Sequence, residues 1–381
     1  IGDLLAAGFS LPDSTSFEGG IIPFAYPPVG FYLAAAVEGP SGVERADILR
    51  VLPAIMTVAT VAAMYPLAAE LAPTRRHALL ATTFFAALLG LTDVLIAGGG
   101  LTRALGVLLA VLATWQGIRM YRQPRWWYVA STAILSGLAV ASHPQTGPFM
   151  AVALASAWLT RWRSLRTLMA TVAAVVGAVV VASPWLVTVA SRHGLDPFLS
   201  ALRVPDRAVF DAVIAYAFLF LLASPVVGIL DILGQVQQAF ARRPHLLVWR
   251  IGVFVLDMRF SPIAGAAPAS LLAAHGTLDA LVPAVTRLVE RVRPAPISAE
   301  RREAVRTAVA SVVVVLAFVP VVGAAIDGTG AHAALSTSQR EAMTWIRDNT
   351  TPRTRTVALA THRWGSDIVN EWFPALSLRR S

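Results

Sequence analysis

The chain has no cysteine, so disulfides, thiolate nucleophiles and cysteine-ligated zinc are all excluded. It also has no lysine: all 31 basic residues are arginine, a coding bias that makes the +9 net charge weak evidence for a nucleic-acid partner. Charge of either sign is scarce, at 14% of residues. No phosphate-cradling GxxxxGK[ST], no HExxH and no G-x-S-x-G is present, which removes the common signatures of soluble nucleotide, zinc-protease and hydrolase chemistry. Gly98-Gly99-Gly100 follows an apolar run and is no nucleotide loop. No internal repeat is visible.

What the chain does have is apolar sequence. Hydrophobic residues make up 56% and the mean hydropathy is +0.65, more than one soluble core can hide. Ten stretches of spanning or near-spanning length follow one another: 48–71, 77–96, 102–120, 126–141, 146–160, 167–190, 209–232, 245–257, 263–289 and 305–326. The segments 126–141, 146–160 and 245–257 are short for a hydrocarbon core of about 30 Å and read as tilted or broken helices among neighbours.

The arginines sort between alternate loops. Seventeen fall in 72–77, 119–125, 161–166, 242–250 and 287–306, against seven in the alternate loops and the segment before residue 51. The bias puts the first set in the cytoplasm. It puts residues 1–47, 97–101, 142–145, 191–208, 258–262 and 327–381 outside. The expected fold class is therefore an all-α polytopic membrane protein, a helical bundle in a prokaryotic plasma membrane. Residues 1–47 form a first extracytoplasmic loop, 48–326 a transmembrane domain of about ten helices, and 327–381 the start of a small extracytoplasmic α/β segment. In that last segment Ser336–Thr350 reads as an amphipathic helix capped by Ser336 or Thr337, and Thr356–Thr361 alternates like a strand. Phe24–Glu38, at fifteen residues, is expected to lie along the outer interface as a juxtamembrane helix; the alternative is an ordinary span. The chain opens on Ile1 and reads as a piece of a longer protein.

Polar residues at the outer membrane face are the functional candidates, because burying them near lipid is costly. Each has a plainer structural reading beside it. Tyr26, Pro27 and Pro28 shape a substrate-facing helix start or a simple turn. Asp93, near the outer end of a span, is a base, a metal ligand or a hydrogen-bonded helix-end acid. His143 and Gln145 touch a phosphate or sugar, or form a polar turn. His193, Arg203 and Arg207 grip an anionic headgroup or are solvated charge. Arg259 offers a bidentate fork to phosphate, or pairs with Asp257. Asp367, Glu371 and Trp372, among the tail aromatics, suit sugar or headgroup recognition, or form a domain core.

FAYPPVGFYLAAA, followed by GVERADILRVLP (Gly42–Pro53), resembles the first outer loop of the GT-C membrane glycosyltransferases, among them protein mannosyltransferases and aminoarabinose transferases. Asp93 stands where those enzymes often carry an acid at the outer end of a later span. The tail, with EAMTWIRDNTTPRTRTVALAT and EWFPALSLRRS, is similar to the outer segment of prokaryotic members. The resemblance implies inverting transfer of a sugar from a polyprenyl-phosphate carrier to a glycan, lipid or protein acceptor at the outer face. A carboxylate deprotonates the acceptor, and an arginine or a bound divalent metal neutralises the departing phosphate. The family's base lies just after the first span, which is expected upstream of Ile1. The catalytic residue of this chain is therefore left open, with Asp93 as candidate. The rival readings are a transporter or flippase of lipid-linked or anionic substrates, and a non-catalytic polysaccharide-binding membrane protein. Mid-span regions nearly free of charge favour the enzyme over the transporter.

Overall fold

A computed structural model of the chain describes residues 1–16, 22–90, 95–96, 100–202, 224–256, 261–292, 298–327, 335–351, 354–356 and 368–379. The fold is helical. A short α1 (Gly2–Ala6) and α2 (Val29–Ser41) precede the bundle helices α3 (Arg45–Leu71), α4 (Arg75–Gly90), α5 (Leu101–Arg122), α6 (Trp126–Val140), α7 (Thr146–Arg161) and α8 (Leu165–His193). After α9 (Asp196–Leu202) come α10 (Pro225–Phe240) and α11 (His245–Leu256). A broken helix follows, made of α12 (Ser261–Ala264), α13 (Ala266–His275), a π-turn over Gly276–Leu281 and α14 (Val282–Val292). The last elements are α15 (Ala299–Asp327), α16 (Thr337–Asn349) and α17 (Ile368–Ser377).

Five of the described helices are long and apolar enough to cross a membrane, namely α3, α5, α8, the broken helix over 266–292, and α15. Helices α8 and α15 turn Val172, Val176, Val180, Val315, Val319 and Val322 outward. A water-soluble protein does not expose such continuous apolar faces, and lipid is their natural solvent. The interior is built from small residues and a few large ones: Met64, Leu67, Phe84, Phe85, Ile118, Leu246, Leu271 and Leu272 are fully or almost fully buried. Where α10 crosses the broken helix, small residues let backbones touch. A Cβ on Gly234 would sit 1.8 Å from the Leu272 carbonyl oxygen, and one on Gly276 2.1 Å from that of Leu230. Close approach through glycine is a usual way to pack helices in lipid.

Side-chain bonds separate two ends of the bundle. At one end Arg122 pairs with Glu70 at 2.6 Å, Arg76 with Glu303 at 2.7 Å and Arg302 with Glu290 at 2.9 Å. This is the arginine-rich end. At the other, the Val29 amide donates to the Ala141 carbonyl at 3.2 Å and the Trp185 indole to that of Ala25 at 3.2 Å. This arginine-poor end carries residues 1–16 and 22–30, the start of α5, the α6–α7 turn and the end of α8.

The observed helices depart from expectation in three places. Of the helix expected over 209–232, residues 209–223 lie outside the described residues, and the described part starts at Pro225 and runs past 232 to Phe240. Pro225 fixes the first turn, and Gln237 and Gln238, too polar to be counted within a span, continue the helix because Gln238 is buried in the bundle and bonds Gln237 at 2.8 Å. The Phe24–Glu38 helix begins only at Val29, after both prolines, and runs to Ser41. At 13 residues it measures about 20 Å at 1.5 Å per residue, too short to cross a bilayer alone. Third, the small α/β segment is not supported. The described part of the C-terminal region is a helix pair, α16 and α17, closed by Leu335, Met343, Ile346, Trp372 and Phe373, with Arg355 in an isolated bridge and no strand among the described residues. Of the expected strand 356–361, only Thr356 is described. Ser336 caps α16 through a capping box with Gln339.

Candidate functional site

Four elements converge at the arginine-poor end. The segment 22–28 enters α2 as non-helical chain that bends at Ile22 and Tyr26, because each proline biases the residue before it away from helix, and Pro28 then serves as the helix N-cap. Pro27 and Pro28 are buried, while Tyr26 is half exposed and packs its ring against Phe31 with centroids 5.9 Å apart. Phe24 meets the other side of Phe31 edge-on at 6.0 Å. Partial burial raises the Tyr32 phenol above its ordinary value, which keeps its O–H a donor at neutral pH. Gly30 lies on the first turn of α5: a Cβ there would come within 2.9 Å of the Thr102 methyl and 3.1 Å of its Cα.

The α6–α7 turn is the second wall. His143 is buried, and its Nε2 lies 3.1 Å from the Gln145 side-chain oxygen. The Thr146 hydroxyl donates to the His143 carbonyl at 2.7 Å, closing the turn. Gly106 of α5 backs it, since a Cβ there would lie 2.8 Å from that of His143. Beneath lies a small apolar void lined by Phe85, Val107, Val111, Thr146, Phe149 and Ile263. Trp185 of α8 bridges the two walls. Its indole N–H holds the Ala25 carbonyl, and its ring meets Phe198 at 5.7 Å. Two arginines at this end are paired: Arg45 grips Glu38 at 2.6 Å, and Arg192 binds Asp13 at 2.9 Å and the Leu11 carbonyl at 2.7 Å.

Of the residues singled out in the sequence, Tyr26, Pro27, Pro28, His143 and Gln145 therefore share one end of the bundle. Asp93, Arg259 with Asp257, Arg203, Arg207 and Asp367 lie outside the described residues, as does the side chain of Glu371. Trp372 belongs to the apolar contact between α16 and α17.

Two polar constellations were not singled out in the sequence. Arg250 donates through Nε to the Asp231 carboxylate at 3.1 Å, with both side chains buried between α10 and α11. His77 of α4 and His275 of α13 flank Asp279 in the π-turn, at 3.1 and 2.7 Å. Both include acids inside apolar helices, the one signal that flags them in a sequence.

Residues 25–187 match the family model described as dolichyl-phosphate-mannose-protein mannosyltransferase, less than half of the chain. The archaeal oligosaccharyltransferase AglB from Archaeoglobus fulgidus, solved with an inhibitory peptide and a dolichol-phosphate, superposes with a TM-score of 0.63 at 15% identity, over 96% of this chain and 57% of that one. ArnT from Cupriavidus metallidurans, solved bound to undecaprenyl phosphate, superposes with a TM-score of 0.61 at 16% identity, over 99% of this chain and 78% of that one. The chain shares the fold of these two solved structures. A further structure of the Archaeoglobus fulgidus oligosaccharyltransferase, complexed with Zn and sulfate, has a TM-score of 0.55 at 18% identity, over 96% of this chain and 54% of that one. The chain thus spans a little over half the length of the archaeal structures it matches. No curated protein matches it.

Proposed function

We propose that this GT-C chain acts in a membrane glycosyltransferase, moving a sugar from a polyprenyl-phosphate-linked donor to an acceptor hydroxyl or amide at the extracytoplasmic face. The observation that carries the proposal is the convergence of the Tyr26-Pro27-Pro28 segment, the His143–Gln145 turn and Trp185 at the arginine-poor end, within the GT-C fold. The arginine bias makes that end extracytoplasmic, together with residues 1–47 and 327–381.

In this reading the polyprenyl chain rests on the apolar helix faces and brings its phosphate to the headgroup plane. Tyr26 presents a ring with a polar tip for sugar or headgroup. His143 and Gln145 supply neutral hydrogen-bonding groups beside the phosphate, and Arg259 a planar charged fork matched to its oxygens. A carboxylate must take the acceptor proton as the glycosidic bond forms and the donor phosphate leaves. Asp93 is the candidate in this chain, and Asp367 and Glu371 are candidates for acceptor recognition. The relative solved with Zn and sulfate is the support for a divalent metal at the phosphate. Among the described residues no three-ligand set gathers at this end, and no step is drawn through a metal.

The test is transfer of labelled sugar from polyprenyl-phosphate donors in proteoliposomes holding the full-length protein. Arg259→Ala removes one charged hydrogen-bonding partner, about 1.5–3 kcal/mol, and is expected to lower transfer about ten- to a hundred-fold with folding kept. Unchanged transfer by a well-folded Arg259→Ala protein ends the phosphate role. Absence of transfer from every polyprenyl-phosphate sugar offered ends the proposal.

A further inference from the structure

The His77, His275 and Asp279 cluster lies at the arginine-rich end, away from the site described above; its neighbour Arg76 pairs with Glu303 there. Both imidazoles are buried and the carboxylate is half-buried. One ligand atom from each of the three residues lies within 4.8 Å of the other two. The rings face each other with centroids 4.9 Å apart, and the carboxylate sits between them, one oxygen on each. Four-coordinate bonds of about 2.0–2.1 Å set ligand atoms about 3.3 Å from one another, so small side-chain movements would complete the shell.

Three surrounding features suit a cation. The Thr74 hydroxyl lies 2.8 Å from His77 Nδ1, which leaves Nε2 turned toward Asp279. A second partner of this kind fixes ring orientation in metal-binding histidines. Asp279 is delivered by the π-turn Gly276–Leu281 instead of a regular helical turn, and π-bulges concentrate at functional positions. His245 of α11 carries a buried Nε2 without a hydrogen-bond partner.

We propose that His77, His275 and Asp279 bind a divalent transition cation of the zinc class at the arginine-rich end, fastening α4 to the broken helix 261–292. Two imidazoles and one carboxylate are the donors such borderline cations prefer over magnesium or calcium. The set leaves a fourth position open to water or to another ligand. Thr74 is a positioning residue for His77.

The experiment uses the full chain in nanodiscs, stripped with a chelator, dialysed against Zn2+ and analysed for bound metal. A stoichiometric ion is expected, lost in His77→Ala and in Asp279→Asn. Thr74→Ala is expected to keep the site but weaken affinity about ten- to a hundred-fold. Co2+ in place of Zn2+ gives a second reading that needs no variant: nitrogen and oxygen ligands in tetrahedral geometry produce visible d–d absorption. A wild-type protein that retains no stoichiometric Zn2+ and shows no Co2+ absorption overturns the proposal, leaving the triad as a hydrogen-bonded clamp. Well-folded His77→Ala and Asp279→Asn proteins that bind Zn2+ as the wild type does overturn it equally.

Discussion

Replacing Gly30 with alanine probes how the Tyr26-Pro27-Pro28 segment is held. The added Cβ would lie 2.9 Å from the Thr102 methyl, 3.1 Å from its Cα and 3.3 Å from its amide nitrogen. The methyl can rotate away. The two backbone atoms cannot, because they belong to the first turn of α5, whose Leu101 and Ala104 are fully buried. Helix α2 must instead lift by a few tenths of an ångström, and overpacking of this kind costs about 1–3 kcal/mol. The lift strains the Val29–Ala141 bond and moves Tyr26 relative to His143. Misplacement near a reacting centre costs up to about a hundred-fold in rate. Gly39→Ala on the same helix is the control, since its Cβ would meet only the tip of Leu5 at 3.6 Å. Alanine also favours helix over glycine there by about 1 kcal/mol. Thermal unfolding in detergent and sugar transfer are the assays: Gly30→Ala should lower both Tm and transfer, and Gly39→Ala neither. Equal behaviour of the two variants would mean that the α2–α5 contact does not set the position of the segment.

Three further outcomes are expected. Trp185→Phe removes the bond to the Ala25 carbonyl, about 0.5–1.5 kcal/mol, and should raise proteolysis within 22–28 while leaving the bundle intact; unchanged cleavage would show that the bond holds nothing. Asp231→Ala removes the carboxylate that faces the buried Arg250 guanidinium and should cost about 3–5 kcal/mol, whereas Asp231→Leu with Arg250→Met should recover most of it, both read by unfolding in detergent. Single cysteines at Ser14 and Ser338, in a chain that has no cysteine of its own, should both react with an impermeant reagent applied from outside, and labelling of only one would break the arginine-based topology.

Much of the helical bundle was legible because runs of Leu, Val and Ala between arginine-bearing loops leave few other solutions. Helices α3, α5, α6, α7 and α8 begin and end within a few residues of expectation. The expected end of α10 fell short because a hydropathy reading stops at Gln235, Gln237 and Gln238, whereas the bundle buries Gln238 and lets the helix continue. The break in 261–292 had no local signal beyond its glycines. Tyr26, Pro27, Pro28, His143 and Gln145 stood out as polar or proline positions at one set of loops, and the fold brings those loops together. The interior is less free of charge than the sequence suggested. Asp231 and Arg250 are 19 residues apart, and His77 and Asp279 are 202 apart, so each pairing exists only once the helices pack. A buried ion pair in mid-bundle is also what a transporter would carry, so scarcity of charge alone does not separate enzyme from transporter.

If the proposed function holds, a lipid-linked sugar donor meets the protein at the arginine-poor end. Photo-crosslinking with a diazirine-bearing polyprenyl phosphate, mapped by mass spectrometry on the full-length protein in nanodiscs, reads that position out residue by residue. Adducts are expected in 22–31 and 141–149, competed away by unlabelled polyprenyl phosphate and reduced in His143→Ala. Specific adducts confined to 70–77 and 119–128 at the opposite end, or none that compete, would contradict donor binding at the arginine-poor end.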